Sequence, residues 1–135
     1  MTRAALAAYL VVVGVITLTP SAPGPTRGLA YWVITTLQRV LPLSWSQWEF
    51  LLNIAMFVPL GVLLAVVLGR RFFWLAPVVA LATSLAIEGL QHVIPNRVPD
   101  VRDLFSNGMG GLIGMLVALA WWRISEKEKR RAQPS

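Results

Sequence analysis

The chain has no cysteine in its 135 residues, which excludes structural disulfides and thiolate metal sites. Histidine occurs once, and no HExxH sequence is present, so the donor sets of most zinc sites are missing too. Charge is the third scarcity: 13% of residues are charged, where soluble chains carry about 25%. The hydrophobic share is 56%, against roughly 45–50% for soluble chains. Twelve basic and six acidic residues cannot cover a solvated surface of this length, which excludes a soluble domain. The length admits one domain at most.

The few charges are also unevenly placed. None falls between Ala4 and Thr26, although Pro20, Pro23 and Pro25 end any helix near Thr19. Phe50 to Leu68 is uncharged and closed by Gly69-Arg70-Arg71; Leu104 to Trp122 is uncharged and closed by Arg123. Between them Phe72 to Ile87 is uncharged, and its apolar pattern continues around Glu88 and Gln91 to Pro95. Runs of this kind predict membrane-spanning helices, and none alternates as an outer-membrane strand would. The expected fold is all-α: a polytopic bundle of four transmembrane helices, at about 4–19, 50–68, 72–94 and 104–122, with an extracytoplasmic interfacial helix. Residues 1–123 then form a single transmembrane domain and 124–135 a basic cytoplasmic tail. The first run also has the parts of a signal peptide, but cleavage after Ala22 would leave Pro23 at the new terminus, so it is read as a retained span.

Orientation follows from basic residues near the spans. Arg3, Arg70, Arg71, Arg123, Lys127, Lys129, Arg130 and Arg131 gather on one side, and Arg27, Arg39, Arg97 and Arg102 on the other. The expectation is a multi-pass protein of the cell membrane with both termini cytoplasmic. Its basic tail faces anionic lipid and binds no nucleic acid, despite the net charge of +6. In the outer connection Leu29, Trp32, Val33, Leu37, Val40 and Leu41 recur at helical spacing and predict the interfacial helix.

Polar residues inside spans cost about 2.5–3.5 kcal/mol for a charge at the helix centre, so their positions carry information. Asn53, Glu88, Gln91, Asp103 and Asn107 come from three spans, yet all lie within roughly 10 Å of the outer interface. Each of the three spans carries a small-residue stripe that leads up to its polar end: Asn53-Phe57-Gly61-Ala65, Ala76-Ala80-Ser84-Glu88, and Asp103-Asn107-Gly110-Gly114-Ala118. Small residues mark close helix approach, so the polar groups point into the bundle. The loop before the fourth span adds His92, Asn96, Arg97, Asp100 and Arg102. Two readings stay open: a clamp holding this loop to the bundle, or a ligand-binding pocket. No metal or other cofactor is expected. Ser84 and Ser106 lack the motif of an activated nucleophile, and Glu88 lies too near the outer end for an alternating-access centre.

The run Asn53 to Gly61 (NIAMFVPLG), then Glu88-x-x-Gln91, then Arg97-x-x-Asp100-x-x-Asp103-x-x-x-Asn107 and the glycines Gly110, Gly111 and Gly114, resembles the VanZ-like family. The similarity covers about Asn53 to Trp122 in order; Arg102 departs from it, standing where relatives often have an acidic residue. The resemblance implies a small integral membrane protein, whose namesake gives resistance to the glycopeptide teicoplanin. It also implies a shared polar set, here Asn53, Glu88, Gln91, Arg97, Asp100, Asp103 and Asn107. The partners it suggests are membrane lipids and a lipid-linked cell-wall precursor or lipoglycopeptide; small-residue helix faces permit a homo-oligomer. A membrane enzyme acting on a lipid or precursor head group, with Glu88 as general base, and a small proton-coupled transporter are the alternative activities.

Overall fold

The computed structural model describes residues 1–18, 32–91 and 101–132, and within them every regular element is helical. They are α1 (Thr2–Leu18), α2 (Trp45–Phe72), a 3-10 turn (Phe73–Leu75), α3 (Ala76–Gln91) and α4 (Val101–Ala132), with one short helical stretch at 32–37. The proline-rich segment after Thr19 and the loop holding His92, Arg97 and Asp100 lie outside the described residues, as does the side chain of Gln91.

Helix α2 begins earlier than the uncharged run that predicted it. Ser44 supplies the reason: its Oγ accepts from Gln47 N, while Gln47 Oε1 accepts from Ser44 N at 2.8 Å. This reciprocal pair satisfies two amides that would otherwise be orphaned, so the helix starts at Trp45. Its far end breaks at Gly69, whose φ of 71° and ψ of 174° suit only glycine. Beyond that break the chain turns back. Asn53 meets Asp103, Gly61 meets Gly111, and Arg70 meets Glu126, so α2 and α4 run parallel. Ser84 meets Asn107, Ala80 meets Gly111, and Phe73 meets Trp122, so α3 runs antiparallel to both. The tyrosine hydroxyl of α1 ties that helix on, Tyr9 donating to the Met56 carbonyl at 2.6 Å.

The core packs alanines against a few larger side chains. Val13, Phe57, Leu60, Leu64, Ala65, Ala76, Ala80 and Ala118 form one buried cluster. At the α2–α4 seam a Cβ on Gly61 would strike the Gly111 backbone, and one on Gly114 would strike Val58 O. On the α3 side, a Cβ on Gly111 would lie 2.6 Å from the Ala80 Cβ. The small-residue stripes therefore lie buried in contacts within the chain.

Two continuous stretches, Trp45–Leu90 and Val101–Ala132, are long and apolar enough to cross a membrane, and α1 is a shorter apolar helix. Only 28% and 33% of their most apolar windows are buried, whereas a core helix of a soluble protein buries most of its apolar residues. Length and composition thus give two candidate spans rather than four, the first folded on itself at Gly69. The interfacial helix ends earlier than its pattern suggested. Residues 32–37 are helical, and then Gln38 Nε2 bonds the Leu43 carbonyl at 2.9 Å and Pro42 follows, which ends the helix. Its buried residue is Ile34, while Trp32, Val40 and Leu41 are exposed.

Candidate functional site

The expected polar residues that the structure describes converge at one end of the three-helix core. Asn53, on the face of α2 that carries Phe57 and Gly61, donates through Nδ2 to Asp103 Oδ1 at 2.8 Å. Asp103 stands in the first turn of α4, where a carboxylate favours the positive end of the helix dipole. One turn deeper, Asn107 Nδ2 donates to Ser84 Oγ of α3, also at 2.8 Å. Two amides thus join α4 to the helices on either side of it.

The helix register fixes the level of Glu88. It follows Ser84 by one turn on α3, while Asp103 precedes Asn107 by one turn on the antiparallel α4. Both carboxylates therefore lie roughly 6 Å beyond the Ser84–Asn107 bond, toward the same end. The Glu88 side chain is partly buried, with its Oε1 shut off from solvent. Glu88, Arg102 and Asp103 each take part in a further interaction, so none stands without a partner. Arg97 and Asp100 lie outside the described residues, and so does the side chain of Gln91.

Asn107 is 7% exposed, and its Oδ1 has no hydrogen-bond partner among the described residues. A buried amide atom without a partner costs about 1–3 kcal/mol. Such a debt inside a membrane bundle is a common mark of a site completed by something else. Trp48 Nε1, buried in the second turn of α2, is in the same condition.

Sequence reasoning saw Ser84 as one of the small residues of a stripe and missed its bond to Asn107. It also missed Ser46, whose hydroxyl receives Arg102 Nη1 across the α2–α4 seam. Ser84 is 1% exposed, and its hydroxyl is engaged by Asn107. Among the described residues no three histidine or acidic side chains gather as a metal-binding group. In chemical terms the described residues bring two carboxylates to one level and a buried amide one turn below them.

The family described as VanZ/LLP1 matches residues 6–123 of the chain. No curated protein and no solved structure matches it.

Proposed function

The chain belongs to the VanZ/LLP1 family, and from that premise we propose that it is an integral membrane protein of the cell envelope whose polar cluster binds the head of an amphiphile at the outer leaflet. It crosses the bilayer four times, through α1, the two arms of the folded Trp45–Leu90 stretch, and α4, with both termini in the cytoplasm. The basic residues Arg70, Arg71 and Arg123 lie at the end opposite Asn53 and Asp103, and the positive-inside rule sets that end in the cytoplasm. The ligand is a lipid-linked cell-wall precursor or a lipoglycopeptide of the teicoplanin kind. Glu88, Arg97 and Asp103 meet its head, while Asn53, Gln91, Asp100 and Asn107 orient and satisfy the charged groups.

The observation that carries this reading is the buried amide oxygen of Asn107, without a hydrogen-bond partner among the described residues and one turn beneath two carboxylates. A clamp needs only the Nδ2 bond to Ser84, whereas the second amide atom is one that a ligand group would satisfy.

Teicoplanin and vancomycin susceptibility tests it, in a deletion strain complemented with wild type, Glu88→Gln, Arg97→Ala or Asn107→Leu at equal membrane expression. Wild type should protect against teicoplanin, Arg97→Ala and Asn107→Leu should not, and Glu88→Gln should keep part of the effect. Binding tolerates a neutral isostere better than proton transfer does. Wild-type susceptibility from every variant would defeat the pocket. Reporter fusions at Arg71 and Pro95 test the sides separately, and a cytoplasmic signal at Pro95 would defeat the outer-leaflet placement.

A further inference from the structure

Helix α4 runs unbroken from Val101 to Ala132, so the sides of its apolar part carry on past Trp122 into the charged tail. Gly111, Gly114 and Ala118 mark the side buried in the bundle. At helical spacing that side continues through Trp122, Ser125 and Lys129. Leu112 and Leu116, 45% and 51% exposed, mark the opposite side. It continues through Arg123, Lys127, Arg130 and Arg131, all four exposed. No acid interrupts this stripe. Glu126 flanks it but is held by Arg70 at the end of α2, and Glu128 lies on the far side. Among the described residues none of the four cations has an ion-pair partner.

The level of the stripe is as informative as its face. The uncharged run ends at Trp122, so Arg123 stands at the edge of the apolar part beside Trp121 and Trp122. Lys127 lies about 6 Å farther along the axis, and Arg130 and Arg131 roughly 10–12 Å. A head-group layer is roughly 5–8 Å thick on each side of a bilayer. Arg123 and Lys127 therefore fall within that layer, and the other two stand just beyond it, with side chains long enough to turn back. The tail's composition alone predicts a diffuse attraction to anionic lipid. The helix register places that attraction on one face, directly below exposed leucines.

We propose that this stripe is a binding site for acidic phospholipids, whose heads leave the charge of the phosphodiester uncancelled. The acyl chains lie along Leu112 and Leu116, and the phosphate meets Arg123 and Lys127. A zwitterionic head brings the same phosphate, but its own ammonium extends outward against Arg130 and Arg131. The site rests on α4 crossing the membrane, as in the function proposed above, and uses no residue of the polar cluster.

Native mass spectrometry of the full chain tests it, using protein released from vesicles of equal parts phosphatidylglycerol and phosphatidylcholine. Phosphatidylglycerol should be retained over phosphatidylcholine by about fivefold, the scale of one basic residue near an anionic surface. Lys127→Gln should remove most of that preference. Lys129→Gln, the same loss of charge within one turn but on the opposite face, should leave it intact; both variants are checked for unchanged helical content. Equal losses from the two would mean that net charge acts and not a face of α4, which would overturn the proposal. Equal retention of the two lipids, or a preference that Lys127→Gln leaves unchanged, would overturn it as well. Recovery of the chain outside the vesicles would defeat it together with the membrane reading, whereas insertion without lipid preference defeats it alone.

Discussion

At one end of the parallel α2–α4 pair, Asn53 and Asp103 meet half-buried, with the enclosed Ser84–Asn107 bond one turn below. At the other end, Arg70 reaches Glu126 with the two side chains 53% and 50% exposed. Arg70 also donates to the Trp122 carbonyl at 3.3 Å and stacks over its ring at 5.3 Å. Among the described contacts just named, the first end sets neutral amide donors on buried or half-buried acceptors, and the second sets full charges in solvent. Water decides which contacts matter. Where it is excluded, an amide bond is hard to replace; where it is present, an ion pair gains little over solvation. The charged end therefore decorates the fold, and the amide end specifies it.

The seam between the ends is what they share, and breaking it should have the largest effect. A Cβ on Gly114 would lie 2.7 Å from Val62 N and 2.8 Å from Gly61 Cα, backbone atoms that cannot swing aside. Gly114→Leu should cost at least about 3 kcal/mol, the upper range for overpacking. The cysteine-free chain allows single-thiol labelling at Ser106→Cys near one end and Ser125→Cys near the other. In the Gly114→Leu background both thiols should become reactive together. Protection retained at either position would show that the two ends do not depend on a common seam.

How much of this was legible in the sequence depends on which force wrote it. The seam was legible because close packing demands a small residue every turn, and Gly61, Gly110 and Gly114 fall on the expected faces. The level shared by Asn53 and Asp103 was legible because charge inside a span is costly enough to be placed deliberately. Helix ends were not. Uncharged runs report where a membrane tolerates the chain, not where the backbone stops being helical. Thus α2 starts at Trp45 under the cap of Ser44, and α4 continues through the charged residues to Ala132. In that extension Glu126 precedes Arg130 by four residues, a spacing that supports an exposed helix. The Ser84–Asn107 bond escaped notice because a serine in a small-residue stripe serves packing equally well, and only the facing register shows what its hydroxyl meets. Arg97 and Asp100 of the expected cluster lie outside the described residues.

A smaller effect should come from the amide end alone. Asn53→Leu removes the donor that Asp103 accepts, while leaving the glycine seam and the charged end untouched. The cost should be about 1–2 kcal/mol, near the top of the range measured for single hydrogen bonds between membrane helices. Labelling at Ser106→Cys should rise well before labelling at Ser125→Cys as denaturing detergent is added. Simultaneous exposure of the two would mean that the amide end has no stability of its own to lose.

The smallest effect should come from the charged end. Glu126→Gln removes the ion pair but leaves Arg70 over the Trp122 ring, whose attraction is about 0.5–1 kcal/mol at an exposed site. An exposed ion pair contributes about 0–1 kcal/mol and fades with salt. The variant should therefore unfold within about 0.5 kcal/mol of wild type. Whatever difference appears at low ionic strength should vanish at about 1 M salt, where the Debye length is about 3 Å. The Asn53→Leu deficit should persist there, because the Asn53–Asp103 bond is half-buried and one partner is neutral. A Glu126→Gln loss as large and as salt-resistant as that of Asn53→Leu would erase the contrast between the ends, and with it the claim that exclusion of water is what separates them.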